Sequence, residues 1–231
     1  MDIREFIGQY KYKNELHAHT YPASKCAEMS ARDTVRVYAE SGVDSLVITN
    51  HINLAMDSAE RYLADYYEAR DEGEKLGVNV ILGVEIVFVG TRNDYLVYGV
   101  SEDEIGEMIT YVQKDLESFY KRFKNDKNVI LQAHPFRDKM TLAPLDLIDG
   151  IESYNLHPGH NGRIGIAARY ATQNGLLVSC GSDYHHPDQH ALALVRSKEP
   201  LRDSYDVANL IKSRDYIFDI GGNVVFPYAD K

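Results

Sequence analysis

Basic residues are the scarce charge in this 231-residue chain: 25 Lys and Arg stand against 35 Asp and Glu, for a formal net charge of −10. A surface that acidic repels a phosphate backbone. It disfavours a dedicated nucleic-acid module or an anionic-membrane binder unless bound cations reverse the local field. Cysteine is scarcer still. Cys26 and Cys180 are too few for a disulfide scaffold or a cysteine-built structural zinc site. Long apolar runs are missing as well, and the segment from Met1 to Tyr12 is polar and charged, unlike a secretory signal. No domain linker, low-complexity tract, internal repeat or glycine-rich dinucleotide fingerprint interrupts the chain. These absences leave the expectation of one soluble, cytoplasmic domain over residues 1–231.

What is present is one event, repeated: a short apolar run that ends on His, Glu or Asp. The first closes on Glu15-Leu16-His17-Ala18-His19-Thr20. In an extended strand alternate side chains share a face, so His17 and His19 reach the same side and form a metal clip. The later runs end on Asn50-His51, Gly83-Val84-Glu85, Ala133-His134 and Gly181-Ser182-Asp183-Tyr184-His185. Between them lie segments of helical periodicity. Ser30 with Asp33 and Ser58 with Glu60 open two helices; a third is expected over 103–124, a fourth over 162–173 and a last one over 203–213. Strands alternating with helices mean α/β. Polar residues at nearly every strand's C-terminal end favour a closed barrel over an open sheet, because a barrel brings all its strand ends to one mouth. Imidazoles and carboxylates together suit zinc, manganese or iron, and Glu85 can bridge two such cations.

The ordered set H-A-H-T at 17–20, N-H at 50–51, G-V-E at 83–85, A-H-P at 133–135 and G-S-D-x-H at 181–185 resembles the polymerase and histidinol phosphatase (PHP) family. The resemblance implies a distorted (β/α)7 barrel, similar to a TIM barrel, that holds two or three divalent metal ions and hydrolyses phosphoesters. Carried over by position, His17, His19, Glu85 and Asp183 would hold one ion. Glu85 and His134 would hold the second, and His51 with His185 the third. This chain departs from the family pattern in two places. The Asp or His common shortly after H-x-H is replaced by a stretch containing Cys26 and Glu28, either of which could complete the third site. A His usual before the fourth strand is replaced by Asp94, which could coordinate through oxygen or act as a turn residue.

The loop Asn155–Arg163 follows a strand and belongs to the same mouth. Arg163 is the expected phosphate clamp, because a guanidinium grips phosphate oxygens through paired donors. His157 and His160 are expected to protonate the leaving alkoxide or to add ligands; His186 and His190 are expected to stand aside. The leading expectation is hydrolysis of a small phosphomonoester by a metal-activated water, with no membrane or nucleic-acid partner. A nuclease or nucleotide phosphodiesterase on the same metals is the alternative, kept open by 17 tyrosines. A non-catalytic metal-binding module is the third reading, and it would require broken ligand positions.

Overall fold

The computed structural model describes residues 2–228, so Met1 and residues 229–231 of the expected single domain lie outside the description. After a short helix α1 (Ile3–Ile7), the chain forms β1 (Tyr12–Ala18), α2 (Ala31–Glu40), β2 (Ser45–Ile48), β3 (His51–Ile52), α3 (Ala59–Leu76), β4 (Asn79–Leu82), β5 (Val84–Val87) and β6 (Asp94–Tyr98). It continues through α4 (Glu102–Thr110), α5 (Leu116–Phe123), β7 (Val129–Gln132), β8 (Gly150–Asn155), α6 (Ile164–Asn174), β9 (Leu177–Gly181), β10 (Ala193–Ser197), α7 (Ser204–Ser213), β11 (Ile217–Ile220) and β12 (Asn223–Val225).

Local chemistry sets the helix ends. Ser30, Ser58 and Asp203 each accept a backbone N–H of the first turn of α2, α3 and α7, which satisfies a donor with no partner inside the helix. Gly77 and Gly175 take the left-handed conformation that stops α3 and α6. The long helix expected over 103–124 is in fact two. Asp115 accepts the N–H of Ser118 and starts a new helix after a turn at 111–114. Val112 stays buried inside that turn, so the apolar stripe runs through the break and hides it from periodicity. The apolar run that ends on Glu85 is likewise split at Gly83, between β4 and β5.

The strands form a mixed α/β fold of two six-stranded sheets, ordered β12-β11-β10-β1-β2-β4 and β3-β5-β6-β7-β8-β9. The pairs β1–β2, β2–β4, β3–β5, β7–β8 and β8–β9 are parallel; β5–β6, β6–β7 and β1–β10 are antiparallel. A closed barrel sheet of seven strands is therefore not what the hydrogen bonding draws. The sheets do meet at two seams. Gly83 N–H donates to Ile48 and Glu85 N–H to Asn50 where β2 and β4 pass into β3 and β5. His19 N–H donates to Tyr184 and Tyr184 N–H to His17 where β1 meets the end of β9. That second seam needs Gly181, because a Cβ there would stand 2.4 Å from the Cβ of His17. The larger apolar core packs Leu16, Val84, Leu96, Leu131, Ile151 and Val195 under these strand ends, and α3 to α7 cover it.

Candidate metal centre

Five strand ends and a hairpin strand converge on one cavity of about 370 Å³, lined by Cys26, His51, Glu85, Asp94, His134, Arg137, His157, His160, Asp183, His185 and His186. His17 and His19 form its fully buried floor. All eight residues expected as ligands are brought together. His17, His19 and Glu85 form one group of donor atoms lying within 4.8 Å of each other, Glu85, Asp94 and His134 a second, and His19, His51 and His185 a third. Asp183 Oδ1 stands 3.4 Å from His17 Nε2 and 3.3 Å from His19 Nε2. Asp94 begins β6 opposite Val87, so it is a strand residue rather than a turn residue.

Hydrogen bonding fixes which way each imidazole faces. His17 Nδ1 is 2.9 Å from Glu152 Oε1, a carboxylate that only accepts, so Nδ1 carries the proton. Ser24 Oγ donates to Asn50 Oδ1 and therefore accepts from His19 Nδ1, 3.2 Å away. On neutral rings both Nε2 atoms would present lone pairs, and they face each other at 3.1 Å. Two lone pairs at that separation repel unless positive charge sits between them. Carboxylates sharpen the demand: Glu85 Oε1 is buried without a hydrogen bond, although His17 and His134 Nε2 lie within 3.3–3.4 Å.

The titration behaviour of the cluster expresses the same need. Burial alone would pull His17 down, but Glu152, Asp183 and Glu85 outweigh it and hold its pKa well above the ordinary imidazole value. Burial would push Glu85 and Asp183 up, yet His17 above all, with the other imidazoles, holds both well below the ordinary carboxylate value. Further out, burial dominates. It lowers His51 to about 4 and His185 to about 3, and with Glu85 beside it raises Asp94 to about 7. The carboxylates raise both His17 and His19, so a divalent cation would displace protons there; once deprotonated, these imidazoles and the clustered carboxylates are the donor set such an ion requires, and the residues present fit it. Two backbone positions carry strain in support. His134 and Asp183 hold φ of +29° and +52°, which L residues rarely adopt, and both lie at this mouth.

The remaining expected residues divide. His157 and His160 line the cavity with ring centroids 4.7 Å apart, and burial lowers His157 to about 4 and His160 below its ordinary value. Arg163 does not line it. Its left-handed backbone (φ +47°) occupies the N-cap of α6, and its guanidinium donates to the Phe136 carbonyl at 2.5 Å and to Asp138 at 2.5 Å. The expected clamp is therefore a brace between two loops. Arg137 is the arginine that lines the cavity. It donates to Asn155 Oδ1 at 2.7 Å and pairs with Asp183, while its buried Nε has no partner. Sequence reasoning missed Arg137, and also Glu152 behind His17. An available signal was the arginine three residues beyond the strand-end His134, together with a carboxylate inside the buried run of β8. His186, expected to stand aside, lines the rim and pairs with Glu28 at 3.0 Å, whereas His190 bonds the Pro187 carbonyl.

Solved structures share this fold at low identity. A two-domain protein from Bacteroides vulgatus ATCC 8482, containing a predicted PHP-like metal-dependent phosphoesterase, superposes with a TM-score of 0.64 at 20% identity, covering 90% of this chain. This chain spans 64% of that protein's length. A proposed metal-dependent phosphoesterase from Bifidobacterium adolescentis ATCC 15703 gives 0.54 at 17% identity, covering 87% of this chain and 96% of the other. An amidohydrolase from Chromobacterium violaceum, solved with sulfate and no metal, gives 0.58 at 14% identity, covering 94% and 98%. No curated protein gives a match to the sequence. The family model for the PHP domain matches residues 15–220, from the residue two before His17 to the end of β11, so the chain belongs to the PHP domain family.

Proposed function

We propose that this protein is a divalent-metal-dependent hydrolase of small phosphomonoesters, its two sheets acting together as one distorted seven-stranded barrel mouth. The observation that carries the reading is the pair of Nε2 atoms of His17 and His19, 3.1 Å apart among Glu85 and Asp183, at the floor of a cavity with Arg137 in its wall. His17, His19, Glu85 and Asp183 would hold one ion, Glu85, Asp94 and His134 a second, and His51 with His185 a third. Zinc, manganese and iron are compatible with these donors. Bound there, such ions would supply an activated water and neutralise phosphoryl charge.

The chain's own groups supply the rest. Arg137 offers an unpaired buried Nε–H and a terminal nitrogen shared between Asn155 and Asp183, donors that a phosphoryl oxygen can take. His157 and His160 stand neutral on the open side, and a phosphate dianion bound beside them would raise their affinity for a proton that the leaving alkoxide can then accept. Glu152 keeps the His17 ring in one tautomer.

Size and lining favour a small ester over a polymer. About 370 Å³ is at the small end for ligand cavities, and among the described lining residues there is one arginine, no lysine and no Phe, Tyr or Trp on which a base could stack. Metal-reconstituted protein should hydrolyse an aryl phosphate faster than a bis-aryl diester and faster than a single-stranded oligonucleotide. Faster oligonucleotide cleavage would move the assignment to a nuclease. Full metal occupancy with no hydrolysis of any ester would move it to a metal-binding module.

A further inference from the structure

The outermost donor group contains three imidazoles, His19, His51 and His185, with the His19 ring 4.5 Å from each of the other two. His19 is already engaged on the floor of the cavity, so an outer ion held by His51 and His185 alone would be short of protein ligands. His185 shows where another lies. Its Nδ1 is 2.8 Å from the Asp183 backbone oxygen, which can only accept, so Nδ1 is protonated and Nε2 presents a lone pair. The atom against that lone pair is Cys26 Sγ, at 3.2 Å. The thiol donates its proton to the imidazole, and that shared proton lies where a cation would bind both atoms.

The loop that presents Cys26 is fastened on both sides. Ser24 Oγ accepts from His51 N–H and His19 Nδ1 and donates to Asn50, and Ala27 N–H closes back on Ser24. Beyond Cys26, Glu28 N–H donates to the carbonyl of His185 itself, and Tyr21 N–H to that of Met29. The same bonds that place the ligand histidines therefore place the sulfur. Glu28, the other donor in this loop, is turned away: its carboxylate pairs with His186 at 3.0 Å and is mostly exposed. His51 of the same outer group has a buried Nδ1 without a hydrogen bond, 3.1 Å from Glu85 Oε2.

Resting on the metal-binding reading above, we propose that Cys26 is a thiolate ligand of the outer cation, alongside His51 and His185. Binding would exchange the thiol proton for the metal: the S–H bond breaks, a sulfur–metal bond forms, and one proton leaves to solvent without any change of oxidation state. A sulfur and imidazole set selects zinc over magnesium or manganese at this position, whereas the Glu85, Asp94 and His134 group leaves the inner ions less selective.

Cobalt reports sulfur directly. Protein loaded with Co²⁺ should show a thiolate-to-cobalt charge-transfer band in the near ultraviolet. Cys26→Ser should abolish the band and lose one metal per chain, Cys26→Asp should abolish it while restoring the metal, and Cys180→Ser, which alters the thiol buried in β9, should keep both. A thiol reagent should label Cys26 in chelated protein, and added zinc should protect it. Cobalt-loaded wild type without the band, or a band that survives in Cys26→Ser, would overturn the proposal while leaving the rest of the site intact. Wild type that binds no metal at all would overturn the metal-binding reading on which it rests.

Discussion

One wall of the cavity is made of strand ends and the other of a loop, and they hold their side chains differently. On the strand wall His17, His19, Glu85, His134 and Asp183 are almost fully buried, each ring nitrogen of His17 and His19 has an assignable role, and the donor atoms crowd within a few ångströms. On the loop wall, between β8 and α6, His157 is partly exposed and His160 exposed, with their rings 4.7 Å apart and the His157 ring 5.1 Å from that of His185. Strand pairing fixes positions, and metal binding needs fixed positions. A loop can adapt to what enters, which suits groups that meet substrate. The two arginines fall on opposite sides of this division: Arg137 follows a strand end and reaches Asp183, whereas Arg163 starts a helix and braces one loop to another.

The sharpest way to break this comparison is to remove charge from the strand wall. Glu85→Gln should lose bound metal and with it nearly all activity, because a neutral amide bridges two cations poorly; metal analysis beside steady-state kinetics reads both. Next in size, Arg137→Ala should retain metal content but lower kcat/KM by about 2 to 4 kcal/mol in transition-state terms, as the loss of other preorganised donors does. Retained kcat/KM in that variant would return the clamp to the loop wall.

Beneath the strand wall lies a third carboxylate. Glu15, fully buried, accepts from Ser182 N–H, His17 N–H and Tyr38 OH, and burial, outweighing these donors, raises its pKa to about 7. Between about pH 4.5 and 7 the unfolded chain releases this proton while the folded chain keeps it. Stability contributed by protonated Glu15 is therefore complete below pH 4.5 and is lost as pH rises toward 7, by up to about 3 kcal/mol. Denaturant titrations of chelated protein across that range should show wild type losing more stability toward pH 7 than Glu15→Gln, the difference between the two curves being the Glu15 contribution. The smallest effect belongs to the loop wall. Arg163→Ala breaks a partly exposed ion pair with Asp138 and should change stability by less than about 1 kcal/mol, with metal content unchanged. A loss of activity matching that of Arg137→Ala would show that the brace is also a clamp.

The same division explains what the sequence disclosed. His17, His19, His51, Glu85, His134, Asp183 and His185 were legible because a strand end converts spacing into position: alternate residues share a face and parallel ends share a mouth. Asp94 was half legible, since a residue beside a turn can open the next strand, and only its pairing with Val87 places it. Arg137 and Arg163 were not separable, because both follow strand ends by several irregular residues and no periodicity carries through a turn. Glu152 was hidden by its position inside β8, where a carboxylate has no motif until the imidazole it holds is seen beside it. In the fold, the α/β alternation was readable from periodicity, while the break at Asp115 and the antiparallel β5–β6–β7 run depended on turns whose geometry the pattern does not encode.

The facing Nε2 atoms of His17 and His19 on the strand wall are placed to hold cations. Anomalous diffraction from crystals grown without chelator tests it most directly. Two or more peaks should appear, one of them between His17 Nε2 and His19 Nε2 within coordination distance of Glu85 or Asp183, and a second beside His134. Crystals of protein incubated with zinc or manganese that show no peak at these atoms, with the two histidines turned apart, would contradict the account.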